Sequence, residues 1–413
     1  DVVTELKRMD PSAVASAEAI ANVPQNHSGR ENVCMGVVQA CRTMLSDRPG
    51  WTKVIVLMSD ENGDDHQALV PESIAGKGKT ISWQELALQE LLKTRTRLYV
   101  IGKESPFQAD TVHERQLGNS GEPLWIAACR GPESAVVEVP VAMTTHNYAG
   151  IATRHLSGFG VYDLAYMAKM SQGAYFILDE SPEARRPLRP SQKATDAIRV
   201  DWGIMDAYKP LLVARSQYRA EVEKTPQGRT LYRVRDVVAR MPDFGWGELR
   251  PPSGLAAQRA NLKKRLDCLD EAIRICREGI VSDTVLKNAG NRRDIANLDL
   301  FLCALYASQI ITESYYEACT SYTGPTPDDA TLILAPTRLQ GAELTPERAG
   351  RFERQMTRLR DAAADVIRRH ANTPWAGMAQ GCLDGPKTYA HPMTLLLKDW
   401  VKPTGDIGKW AEG

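Results

Sequence analysis

The sequence predicts an α/β domain with a mostly parallel sheet over residues 1–180, then an all-α helical bundle over 201–413. Three observations carry this. Val54 to Met58 form a continuous apolar run that breaks off in an acidic, turn-forming loop, Ser59 to Asp65, as a strand covered on both faces would. Helix and strand patterns alternate between residues 31 and 102, the order of βαβ units. Beyond residue 200 the apolar residues recur mainly at spacings of three and four.

Asp10-Pro11-Ser12 opens a short amphipathic helix, and the loop Pro24 to Arg30 leads to a second. That second helix sets Val33, Val37, Cys41 and Leu45 on one face, with Cys34 and Val38 beside them. After the strand and its acidic loop, Ser82 stands as an N-cap with Glu85 three residues on, a capping box for a helix over 82–95. Arg97 to Gly102 is the next strand. Candidate strands follow at Leu124 to Cys129 and Ala135 to Val141. A helix carrying Tyr162, Ala165, Tyr166 and Met170 then ends at Gly173, and Ala174 to Leu178 is the last strand.

Residues 181–200 read as a linker, with Pro and Arg concentrated between Pro182 and Pro190. A helical stretch from Asp201 to Lys224 is broken at Pro210. The loop Met241 to Gly254 holds Phe244 and Trp246, either partner anchors or side chains tucked onto a helix. Three long apolar seams follow: Leu262 to Ile280, Ile295 to Cys319, and Phe352 to His370. The second is apolar around most of its circumference and is expected at the centre, with Asn297, Gln309 and Glu313 as satisfied polar groups. Leu332 to Pro336 reads as a strand or strap, and Asn372-Thr373-Pro374-Trp375 opens a short helix to Leu383.

Composition narrows the function classes. At 413 residues, two or three domains are expected. Lys plus Arg (51) equals Asp plus Glu (51), so no overall field favours nucleic acid or an anionic membrane. Apolar runs stay far short of the ~20 residues that span a bilayer. The chain starts at Asp1 without a Met and reads as a fragment or processed product. A cytoplasmic location and one in the periplasm or cell envelope both stay open. The eight Cys form no CxxC pair, which favours buried thiols over a zinc site and leaves disulfides open. No GxSxG, HExxH, P-loop or GxGxxG motif occurs, and the seven His are scattered without ligand spacing, so no catalytic residue is assigned.

The segments SGRENVCMG, VIVLMSDENGDD, RLYVIGKESPF, RGPESA, HLSGFGVYDLAYMAKMSQGAYFIL and HANTPWAGMA, in this order and spacing, resemble a bacterial group of von Willebrand factor A (VWA) domain proteins with a helical C-terminal region. The resemblance implies a doubly wound sheet with a metal-ion-dependent adhesion site at the carboxyl edge of its strands. Asp60 matches that site's Asp after the central strand, and Glu31 stands about where its loop Thr would be. The DxSxS motif of the first strand has no counterpart, so the missing strand is expected from residues upstream or from another polypeptide.

The acidic loop carries the site expectation. Asp60, Glu31, Ser28 and Ser59 are the oxygen donors expected for Mg²⁺ or Ca²⁺, a weak set without the first motif, so a chain without metal is the first expectation. Asp64, Asp65, Arg30 and His66 form the expected partner-binding edge, since ligands of open α/β sheets bind beyond the carboxyl ends of the strands. The leading expectation is a non-enzymatic protein-binding or scaffold protein. The alternatives are a structural subunit whose sheet a partner chain completes, and a Mg²⁺-dependent hydrolase working at Asp60.

Overall fold

The computed structural model describes residues 32–46, 50–59, 62–108, 112–117, 123–128, 131–140, 156–178, 201–242, 253–321, 332–336, 346–389 and 393–397. The chain divides into two compact units. One comprises Asp1–Lys103, Ala128–Gly131 and Gly160–Leu178, and the other Glu104–Ala127, Pro132–Phe159 and Asp179–Gly413. The division therefore runs through the stretch read as a single α/β domain. The linker 181–200 and the first helix lie outside the described residues.

The first unit is built on a three-stranded parallel sheet in the order β1 (Lys53–Ser59), β2 (Thr96–Gly102), β3 (Ala174–Ile177). The register sets Val56 beside Tyr99 and Ile101 beside Phe176. Helix α1 (Val33–Gln39), α2 (Trp83–Thr94) and α3 (Tyr162–Met170) share one core with the sheet. Cys34, Val37, Cys41, Leu91, Leu164 and Met167 are buried there against Leu98 and Val100. The chain continues from α1 into a π-helical turn, Ala40–Leu45. At the start of α2 the capping box forms as expected: Ser82 Oγ accepts the Glu85 N–H at 3.2 Å, and the Glu85 carboxylate accepts the Ser82 N–H at 2.9 Å.

Helix α3 ends at Met170, with a positive φ at Gln172 (62°) and Gly173 directly after it. Gly173 is needed because a Cβ there would run into the backbone of Leu98 on β2. The apolar run of β1 is not covered on both faces. Its burial alternates, leaving Val54, Val56 and Met58 exposed, because the described helices pack on the other face.

The second unit is helical around a central rod, with helices α4 (Arg215–Val222), α5 (Pro226–Val238), α6 (Ser253–Gly279), α7 (Asp283–Asn288), α8 (Arg293–Ser321), α9 (Pro346–Arg369) and α10 (Pro374–Tyr389). As the all-round apolar pattern predicts, α8 is the rod, packed by α5, α6, α9 and α10. Among the described helices it alone is long and apolar enough to cross a membrane, and 83% of its most apolar window is buried inside the protein. Pro210 interrupts the 201–224 stretch, leaving a short helix at Trp202–Met205 and α4 beyond. The all-α reading is too simple here. Leu332–Pro336 pairs antiparallel with Met393–Leu397. Within the stretch read as α/β, Glu104–Pro106 pairs with Leu156–Gly160. The strand expected at 135–141 is absent over its described part, where irregular chain uses side-chain acceptors in place of a ladder.

Candidate functional site

Beyond β1, the first unit turns its acidic loop inward. Asp60 and Glu61 lie outside the described residues, as do Ser28, Arg30 and Glu31. Asn62 is fully buried; its Nδ2 donates to Asp163 Oδ2 at 2.7 Å, and among the described residues its Oδ1 finds no hydrogen-bond partner. Gly63 holds φ at 86°, and a Cβ there would meet Val33 Cβ at 2.8 Å, so only glycine lets the loop pass α1 this closely. Asp65, 6% exposed, accepts the N–H groups of Cys34 (3.2 Å) and Met35 (2.7 Å), satisfying orphan donors at the start of α1. His66 places Nδ1 2.7 Å from the Gly63 carbonyl and Nε2 3.7 Å from Asp163.

Of the residues expected at a partner-facing edge, Asp64 is exposed, His66 half-buried and Asp65 engaged inside the unit. Of the expected metal donors only Ser59 is described, and among the described residues no three His, Cys, Asp or Glu side chains converge as a metal site. Asp163, in the first turn of α3, escaped the sequence reading. Its one signal is a carboxylate inside the apolar segment Val161–Tyr162–Asp163–Leu164, all buried.

The second unit buries charge more densely. Arg293, at the start of α8, lies with Nη2 2.7 Å from Glu133 Oε1 and 2.7 Å from Glu138 Oε2. Glu138 also accepts from Tyr218 Oη at 2.5 Å and Asn297 Nδ2 at 2.8 Å. Gln108 Oε1 accepts the N–H groups of Glu138 and Val139, which replaces the ladder a strand would have supplied. Trp375 closes the network, donating its Nε1–H to Asn297 Oδ1 at 2.9 Å. Burial pushes the Glu133 carboxyl up, against the pull of Arg293. Burial pushes Glu138 up too, but the charge of Arg293 and its hydrogen bonds outweigh this, and Glu138 ends below its ordinary value.

A second buried chain runs from Asp299 through His370 (2.9 Å) to Tyr208 Oη (3.0 Å), with Arg369 3.2 Å from Asp299. Both networks tie α8 to surrounding segments, and apart from Arg369, which is half-buried, their members are buried. The first borders a cavity of about 460 Å³, which Glu138, Tyr218, Arg293 and Asp294 help to line. Compared with family models, curated proteins and solved structures, the chain matches none.

The open face of the sheet departs from an ordinary polar surface. Val54 (44% exposed), Val56 (60%), Met58 (61%), Phe176 (53%) and Leu178 (62%) are presented there, and the Tyr99 and Phe176 rings stack with centroids 6.3 Å apart. The outer edge of β1 pairs with no strand among the described residues.

Proposed function

We propose that this is a non-enzymatic protein-binding or scaffold protein, with a VWA-like α/β unit whose sheet is completed by additional polypeptide along β1 and over the open face. The supporting observation is that face. Parallel sheets are ordinarily covered on both sides, and among the described residues nothing packs on this second face, which is apolar apart from Arg97 beside Val54, so the layer is incomplete. The seven-residue edge of β1 carries one charge, Lys53, at its start. An edge without inward charges, proline or a bulge invites strand addition, with main-chain hydrogen bonds giving affinity and the alternating side chains specificity.

The test is intact mass, sizing and metal analysis of the protein recovered from its own host, with backbone hydrogen exchange on the same sample. The expected result is a stoichiometric second polypeptide, slow exchange along β1, and loss of both in Val56→Lys. Bound Mg²⁺ or Ca²⁺ is expected only in the completed assembly. A lone wild-type chain with rapidly exchanging outer-edge amides would overturn the reading.

A further inference from the structure

The cavity in the helical unit is independent of the sheet. At about 460 Å³ it falls in the range of small-molecule sites, about 300–1,000 Å³. Part of its wall is apolar, supplied by Leu211, Val222, Val285 and Ile295. Among the described residues that line it the ionised groups are unbalanced: Glu138, Glu221 and Asp294 stand against one cation, Arg293.

Most of that charge is already partnered. Arg293 is held by Glu133 and Glu138 at 2.7 Å each, and Glu221 takes Lys224 at 2.6 Å. Asp294 differs: its Oδ2 accepts from Thr225 Oγ1 at 2.9 Å, and among the described residues no cation comes within ion-pairing distance. An anionic ligand would meet net negative charge, and a neutral one would leave this carboxylate desolvated and unpaired. A ligand with an apolar body and a positive head satisfies both the wall and the acid.

We infer that this cavity is a binding site for a small organic cation, a protonated amine on an apolar body, whose ammonium pairs with Asp294 while the body lies on Leu211, Val222, Val285 and Ile295. The titration of Asp294 gives the site a pH signature. Burial and the charge of Glu138 push its carboxyl up to about 6, against the hydrogen bond from Thr225 and the charge of Arg293. The charged and titratable groups sharing the cavity are Glu138, Tyr218, Glu221 and Arg293. Asp294 is therefore ionised at neutral pH and protonated in mild acid.

The test is calorimetric titration of the full chain with n-hexylamine, using 1-hexanol and hexanoate as neutral and anionic counterparts of similar size. At about pH 7.5, hexylammonium should bind saturably with a Kd on the order of 1 mM. Hexanol should bind about tenfold more weakly and hexanoate more weakly still. Lowering the pH to about 5 should weaken hexylammonium about tenfold as Asp294 protonates. Asp294→Asn keeps an oxygen for Thr225 and should cost about tenfold in hexylammonium affinity. Val285→Trp, made at a side chain 48% exposed, should fill the cavity and abolish binding without unfolding the chain. The inference is overturned by no saturable hexylammonium binding, by equal binding of hexanol, by preference for hexanoate, or by unchanged affinity in either variant.

Discussion

Arg293 Nη2 lies 2.7 Å from Glu138 Oε2, and each side chain is only 2% exposed. The guanidinium also serves Glu133, so one buried cation balances two buried acids. Desolvation makes such a cluster a poor source of net stability, but breaking it strands charge where water cannot reach. Arg293→Met should therefore lower unfolding stability by about 3–5 kcal/mol at neutral pH in denaturant titrations. Without the guanidinium both carboxyls rise above their unfolded values, so the folded state holds protons more tightly and the deficit should shrink in acid. The wild type should show the opposite trend from Glu138. Its depressed pKa contributes stability above the unfolded value of 4.5, lost as pH falls through the folded value. A Met variant with a pH-independent deficit would contradict this account.

Asp294 titrates in the other direction. Raised from 3.8 to about 6, it favours the folded state fully below the unfolded value, and that contribution is lost as pH rises through about 6. Partial exposure and the favourable field at the start of α8 reduce the full electrostatic penalty. Asp294→Asn should then be more stable than wild type by about 1 kcal/mol at neutral pH and equal to it near pH 4. Thermal melts across that range check it. A less stable Asn variant at neutral pH would mean that the helix field, not desolvation, dominates at this position.

In the first unit, Asp65 caps the start of α1. Asp65→Ala leaves two N–H groups at the start of α1 without acceptors and should cost about 1–2 kcal/mol, with Asp65→Asn roughly half that. Burial holds the Cys34 thiol well above its ordinary value, and the charges of Asp65 and Asp163 add to the shift. Cys34 should thus resist alkylation in the wild type and react faster in Asp65→Ala, as α1 opens. Unchanged alkylation of the Ala variant would show that α1 is held by its apolar face alone.

Legibility in the sequence followed the range of the interaction. The capping box of Ser82 and Glu85 is written in four residues, and the all-round apolar pattern of α8 in one helix, so both could be read directly. Asn297 was placed correctly as a satisfied polar group, but its partners, Glu138 and Trp375, stand 159 and 78 residues away. No local period marks such a pairing. The same distance hid the Glu133–Arg293 contact and the cavity beside it. The apolar stretch from 135 misled for a related reason: Gln108 supplies the acceptor that a neighbouring strand would have given, so an apolar run is bent into a loop. The acidic loop is expected to offer its side chains to a metal or a partner, because ligands of open α/β sheets bind beyond the strand ends, whereas Asn62 faces inward onto Asp163 of α3 and Asp65 holds the start of α1.

The open sheet face sets its own test of stability against association. Val56 and Phe176 are 60% and 53% exposed, so replacing them with Lys removes little buried area. Surface substitutions of this kind ordinarily change stability within about 0.5 kcal/mol. The double variant Val56→Lys, Phe176→Lys should therefore unfold like the wild type when both are studied as isolated chains. It should also be more soluble, because an apolar strand edge and face are the first elements to associate between molecules. In the assembly the same side chains would lie against the added layer, and two buried ammonium groups would strongly disfavour binding. Equal stability with lost association is thus the signature of a face built for a partner. A loss of several kcal/mol in the isolated chain would show instead that the face is already packed by this chain itself.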